Sequence, residues 1–197
     1  MLNNLPQVCI CIPTYNAANT IRETLRSILE QTYPNLDVIV SDNASTDETL
    51  KIIESMRDSR VTIYSNAENI GGYKNLNRCI ELANGSYTAI FHADDIYEPD
   101  MVANQVAFLE ANPRAGAVFT EATLIDEVGY RFGKIRLPTG IVSQKDGLYD
   151  FESIFKAVLK HSNFLICPSF MVRTKIYQEE IIVWREDKFG SSADLDV

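Results

Sequence analysis

From Val8 to Thr120 the chain alternates between short apolar runs and stretches whose apolar residues recur at helical spacing. The runs at residues 8–12, 38–40, 61–64, 87–91 and 117–120 are too short for helices. They are bounded by Pro, Asn, Ser and Gly, so they read as buried strands. Between them Ile21, Leu25, Ile28 and Leu29 mark one helical stripe. Leu50, Ile53 and Met56 mark a second, Leu76, Cys79, Ile80 and Ala83 a third, and Val102, Val106 and Leu109 a fourth. Thr20-x-x-Glu23 and Ser45-x-x-Glu48 fit capping boxes, while Asn84-Gly85 and Asn112-Pro113 are stop signals. Strand–helix alternation of this kind predicts an α/β fold: a mostly parallel sheet flanked by helices on both faces. Beyond residue 121 the pattern loosens. Residues 124–137 read as a hairpin around Gly129 and Gly133, and residues 151–160 as a helix with Ile154, Phe155, Val158 and Leu159 inward. Residues 170–172, after Pro168, read as a strand.

With 197 residues and 46% hydrophobic content, the chain is long enough to bury a core. Its net charge of −9 argues against a nucleic-acid-binding face. Cys9 and Cys11 alternate within the first strand and should share one face. No pair among Cys9, Cys11, Cys79 and Cys167 has zinc or redox spacing, which suits reduced thiols in a cytoplasmic protein. No apolar run is long enough to cross a bilayer. Residues 194–197 read as the opening of an element, so a C-terminally truncated chain is expected.

Three strand ends carry polar clusters: Thr14-Tyr15-Asn16, Asp42-Asn43 and Asp94-Asp95. In an open α/β sheet such ends converge on one crevice, where ligands bind. Each cluster alone has a plainer reading. The first is a turn, the second a helix-capping region, and the third a pair of loop acids. Two adjacent carboxylates repel each other, and a divalent cation would resolve the conflict. The third cluster is therefore a candidate metal site for something anionic.

The order of these clusters resembles the family 2 glycosyltransferases, inverting enzymes with the GT-A fold. The residues that carry the resemblance are Cys11-Ile12-Pro13-Thr14-Tyr15-Asn16, then Val40-Ser41-Asp42-Asn43-Ala44-Ser45-Thr46-Asp47. Asn69-Ile70-Gly71-Gly72 and His92-Ala93-Asp94-Asp95 with Pro99-Asp100 complete it. The resemblance covers most of the chain and is densest in the first 115 residues. It implies a single GT-A domain over residues 1–197. Residues 1–115 would form the nucleotide-sugar-binding half, and residues 116–197, with the small hairpin, the acceptor half.

By that resemblance, Pro13 and Tyr15 wall the nucleotide and Asp42 accepts the imino N–H of uracil or thymine. Asp94 faces the ribose or sugar, and Asp95 ligates Mn²⁺ or Mg²⁺ bridging the diphosphate. Lys74 stands where the family often has Arg. It touches a phosphate, pairs with Asp94, or is an exposed helix residue. His92 holds the position of a third family carboxylate and reads as a pocket histidine before it reads as a ligand. Asp194, with Asp196 as the alternative, would be the base for a single displacement at the anomeric carbon; the plainer reading is a helix N-terminal acid. Residues 163–173 would line the acceptor pocket, and Trp184 is a stacking platform or, more simply, core. The implied partners are a UDP-sugar donor and a saccharide or lipid-linked saccharide acceptor. The implied setting is cell-surface polysaccharide assembly in the cytoplasm, peripherally at the inner face of the membrane. An oxidoreductase would need a glycine-rich turn where Pro13-Thr14-Tyr15-Asn16 stands. A nucleotidyltransferase would usually show a basic glycine-rich loop near the N-terminus, and none is present. A nucleotide-sugar-binding relative without catalysis, or a nucleotidyltransferase, remains the alternative.

Overall fold

A computed structural model of the chain describes residues 5–138 and 147–179. The first half runs β1 (Val8–Thr14), α1 (Ile21–Leu29), β2 (Leu36–Asp42), α2 (Thr49–Met56), β3 (Val61–Ser65), α3 (Gly72–Leu82), β4 (Tyr87–Ile90) and α4 (Met101–Ala111). There follow β5 (Ala117–Val118), β6 (Ala122–Ile125), β7 (Arg131–Ile135), α5 (Phe151–His161), β8 (Met171–Arg173) and α6 (Thr174–Glu179). The main sheet has the order β3-β2-β1-β4-β8-β5. β1 lies parallel to β2 and β4, and β2 parallel to β3, whereas β8 runs antiparallel between β4 and β5.

The period of two along β1 divides the core. Val8, Ile10 and Ile12 face α1 and α4 through Ile21, Leu25, Ile28, Val102, Val106 and Leu109. Cys9 and Cys11 point the other way, with Ile39, against Leu76, Cys79 and Ile80 of α3. Both faces are covered, so β1 shows no polar alternation. The Cys11 Sγ donates to the Cys79 carbonyl at 3.3 Å. Contact with Cys79 and Cys9, together with burial, pushes the Cys11 thiol well above its ordinary pKa, so it packs as a small apolar group. Gly85 is required by a close approach: a Cβ there would lie 2.7 Å from the Gln7 carbonyl and 3.0 Å from the Cys9 amide nitrogen.

Four sequence expectations are corrected. Pro13 does not break β1, which continues to Thr14 in register with Asp42. Cys11 accepts from Phe91 on the β4 side and Thr14 accepts from Asn43 on the β2 side. Alternation therefore turns Pro13 toward β4, and its missing N–H falls where the β1–β4 ladder stops, past Ile90, while the β1–β2 ladder continues. Thr20 forms no capping box; its hydroxyl donates to the Ala93 carbonyl at 2.9 Å. Ser45 does not cap α2 either. The N-cap is Glu48, without a side-chain cap, and Asp47 before it accepts from the Thr49 amide at 3.0 Å. Finally, α5 buries Ala157 while Phe151, Phe155 and Leu159 face outward, with the Phe151 and Phe155 rings stacked at 5.6 Å. The periodicity finds the stripe but not what it faces. The hairpin is present as β6–β7, its turn held by Asp126 accepting from the Val128 and Tyr130 amides.

Candidate functional site

The C-terminal ends of β1, β2 and β4 lie side by side. The loops that leave them enclose a cavity of about 520 Å³, whose lining includes Pro13, Tyr15, Asn43, Asn75, His92 and Asp94. A smaller hollow of about 190 Å³ lies between α1 and residues 96–99 and contains neither Asp94 nor Asp95.

The loop after β1 is stitched to the loop after β2. The Asn16 amide donates to Ser45 Oγ at 2.9 Å, and the Thr46 amide donates to Asn16 Oδ1 at 2.8 Å. The Ala17 amide donates to Thr49 Oγ1 at 2.8 Å, and the Ala18 amide to Asp47 Oδ2 at 3.1 Å. Asn16 and Ala44 both adopt positive φ, at 48° and 61°. Asn tolerates this conformation; Ala does not prefer it, and backbone held there clusters at functional sites.

Asp42 closes the floor of the site. It is fully buried, behind Asn43 and its register partner Thr14, both of which line the cavity. Its Oδ2 accepts from the Ser45 amide at 3.0 Å, and its Oδ1 has no partner. A sheltered, unpaired carboxylate oxygen is costly to keep and has room for a further donor.

Beside Asp42 runs a chain of buried amides. Asn75 Nδ2 donates to the Ser41 carbonyl and Asn75 Oδ1 accepts from Ser41 Oγ, both at 2.7 Å. Asn66 Nδ2 donates to Asn75 Oδ1 and to Asn43 Oδ1 at 3.0 and 2.9 Å, and the Ile70 amide donates to Asn43 Oδ1 at 3.0 Å. This network holds the loop of residues 66–71 and the start of α3 against the cavity. Of its buried asparagines, Asn43 belongs to a strand-end cluster of the sequence, whereas Asn66 and Asn75 carry no such signal.

Opposite this wall, ligand atoms of His92, Asp94 and Asp95 lie within 4.8 Å of one another. His92 Nδ1 is 4.0 Å from Asp95 Oδ2. Burial first, then the charge of Asp94, raises the Asp95 carboxyl above its ordinary pKa, and His92 opposes the shift. The donors, two hard carboxylates and one imidazole, fit Mn²⁺ or Mg²⁺.

The cavity is lined by Pro13, Tyr15, His92 and Asp94; Asp42 lies buried beneath the lining residues Thr14 and Asn43, and Asp95 stands beside His92 and Asp94 without lining it. Lys74 is exposed on the first turn of α3, next but one to Gly72 at the cavity wall. Asp194, Asp196 and Trp184 lie outside the described residues.

The sheet order, the crossing helices and the carboxylates at the end of β4 define a GT-A fold. The chain belongs to glycosyl transferase family 2, whose pattern its residues 9–180 match. It is 31% identical to the UDP-Glc:alpha-D-GlcNAc-diphosphoundecaprenol beta-1,3-glucosyltransferase WfaP of Escherichia coli, over 86% of this chain and 62% of that one. Among solved structures, a mannosyltransferase of Pyrobaculum calidifontis in complex with GDP-Man and Mn²⁺ is 33% identical with a TM-score of 0.55. That match covers 64% of this chain and 37% of the other. TarS of S. aureus in complex with UDP has a TM-score of 0.74, covering 95% of this chain and 52% of that one; at 22% identity the likeness is one of fold. The chain spans 57%, 49% and 62% of the length of three curated relatives it matches.

Proposed function

We propose that this chain binds a nucleoside-diphosphate sugar, a UDP-sugar in the first place, and transfers the sugar to a hydroxyl acceptor with inversion. The observation that carries this reading is the placement, on either side of the end of β1, of the buried Asp42 with its unpaired Oδ1 and of the His92–Asp94–Asp95 cluster. One side suits a base and the other an anion-bridging cation. Asp42 has one oxygen left, because Ser45 occupies the other. Uracil offers a single imino N–H between two carbonyls. Guanine offers two adjacent donors and would use both oxygens, so the arrangement favours uridine.

In this reading Pro13 and the half-exposed Tyr15 ring wall the nucleotide, and Asp94 holds the ribose or the sugar. Asp95, with His92 and Asp94 beside it, would hold Mn²⁺ or Mg²⁺. When bound, that ion neutralises charge on the departing diphosphate. Lys74 contacts a phosphate or pairs with Asp94. Asp194 takes the proton of the acceptor hydroxyl, which attacks the anomeric carbon from the face opposite the diphosphate, inverting it. Residues 1–115 serve the donor and residues 116–197 the acceptor, within a single domain. The acceptor is a saccharide or a lipid-linked saccharide in polysaccharide assembly of the cell envelope. The relative WfaP, whose name specifies a diphosphoundecaprenol-linked acceptor, supports this, as does a match to a putative teichuronic acid biosynthesis glycosyltransferase of Bacillus subtilis. No helix among the described residues is long and apolar enough to cross a membrane, and the protein works peripherally at the inner membrane face.

Calorimetric titration of UDP, GDP and TDP into the 197-residue chain, in Mn²⁺ and again in EDTA, tests the donor site. UDP should bind more tightly than GDP and lose most of its affinity in EDTA. GDP binding ahead of UDP would overturn the uridine assignment, and UDP binding indifferent to EDTA would overturn the metal.

A further inference from the structure

The loop that carries Asp94 and Asp95 is fastened to α1 by a row of polar side chains that the mechanism leaves unused. Thr20 and Thr24 both donate to the Ala93 carbonyl, at 2.9 and 3.0 Å. Ser27 Oγ accepts from the Tyr97 amide at 3.1 Å and donates to the Thr24 carbonyl at 2.7 Å. Gln31 Nε2 donates to the Glu98 carbonyl at 2.8 Å, and Gln31 Oε1 accepts from the Val102 amide at 3.0 Å. Residues 20, 24, 27 and 31 advance by four, three and four, so they share one side of α1 and its flanks. That side faces the loop, next to the apolar side of Ile21, Leu25 and Ile28.

Thr24 is 1% exposed and Gln31 6% exposed. Polar groups buried this far are tolerated only when paired, and their partners here include the Ala93 and Glu98 carbonyls of the loop and the Val102 amide at the start of α4. The Ala93 carbonyl shares a peptide plane with the Asp94 amide, so two hydroxyls on that oxygen fix the plane from which Asp94 departs. A second clip acts inside the loop. Tyr97 stacks on Phe91 with centroids 3.8 Å apart, and its Oη accepts from the His92 amide at 2.7 Å. Two like charges on adjacent residues repel. A loop free to relax would separate the carboxylates, and this one is held at both ends of the acidic pair.

We infer that Thr24, with Thr20, Ser27 and Gln31, forms a positioning row that holds His92, Asp94 and Asp95 in cation-binding geometry before any ligand arrives. This rests on the metal reading above. Preformed geometry raises affinity because the binding step no longer has to order the ligands. Of the row, Thr20 also lines the cavity, whereas Thr24, Ser27 and Gln31 do not; these act through the Ala93, Tyr97 and Glu98 peptides.

The probe is Mn²⁺ alone, titrated into the 197-residue chain with the free ion read by electron paramagnetic resonance. Thr24→Val keeps the volume and removes the hydroxyl; Thr24→Ser keeps the hydroxyl and removes a methyl. The valine variant should bind Mn²⁺ about tenfold more weakly, the range seen when partners beyond the metal ligands are lost. The serine variant should stay within about threefold of wild type on the same grounds. Melting temperatures measured alongside separate the roles, since a merely structural residue would make affinity follow stability rather than the hydroxyl. If the valine variant does not fold, Ser27→Ala replaces it, with the same weakening expected. Unchanged Mn²⁺ affinity in a folded valine or alanine variant overturns the inference and leaves the metal site standing. A wild-type chain that binds no Mn²⁺ overturns the metal reading and this inference with it.

Discussion

Replacing Asp42 with Asn tests the base contact while keeping the shape of the site. The carboxylate presents two acceptors. One meets the Ser45 amide at 3.0 Å and the other, Oδ1, meets nothing. An amide keeps one acceptor. With its oxygen on Ser45, its NH₂ group lies where Oδ1 was, and no hydrogen bond of the free protein is lost. A buried charge with a single partner also disappears. The urea midpoint of Asp42→Asn should therefore equal or exceed that of the wild type. The bound state changes more. The uracil imino N–H would face another donor, and a hydrogen bond to a charged group contributes about 1.5–3 kcal/mol. UDP affinity should fall about 10- to 150-fold. Cytosine carries an acceptor at that ring position, so CDP should gain affinity in the same variant. Calorimetry with UDP and CDP, beside urea unfolding, reads both arms. The argument is refuted by a variant that binds UDP as well as wild type, or by one that loses stability and leaves the UDP/CDP ratio unchanged.

Asp95→Asn should make UDP affinity equal with and without EDTA, at an unchanged urea midpoint; a persisting Mn²⁺ effect would sink the ligand assignment. Gly85→Ala should destabilise by about 1–3 kcal/mol, because the added methyl meets the Gln7 carbonyl at 2.7 Å and backbone cannot rotate aside; chemical denaturation measures it. The bidentate contact of Arg60, at 2.8 and 3.0 Å, holds the Asp58 carboxyl below its ordinary pKa. The folded value lies below the unfolded value of about 3.9, so the stabilisation is present above that pH and lost as pH falls through the folded value. Urea midpoints between pH 6 and pH 2.5 should drop less steeply in Asp58→Asn than in wild type.

The first four strands and helices were legible because each strand is short, each helix carries a stripe, and both faces of β1 are apolar. What the local pattern could not carry was distance. The register that slots three residues, Met171–Arg173, antiparallel beside β4 is set by contacts far apart in the chain. Likewise, Asn75 meets Ser41 across 34 positions, and no spacing rule connects them. The Thr20 and Ser45 signals were real hydrogen-bonding residues with other partners; their hydroxyls reach neighbouring loops instead of their own helix ends. In the site, the strand ends and the paired acids could be read directly. The separate roles of Asp42, Asp94 and Asp95 came only with the family resemblance, and the weight of His92 came with the geometry.

The place of β8 sets a clock on the site. Strand β4, which delivers the acidic pair, is flanked by β1 on one side and by β8 on the other. Thr88 and Thr174 share a hydrogen bond although they stand 86 positions apart. Arg173 completes the seam, donating to the Leu109 and Ala115 carbonyls at 2.7 and 2.9 Å. At a synthesis rate of about 5–20 residues per second, β4 leaves the ribosome roughly 4 to 17 seconds before its second neighbour exists. Through that interval its outer edge is bare backbone, open to any other strand that passes. The strand that delivers the acidic pair thus needs protection while the protein is being made.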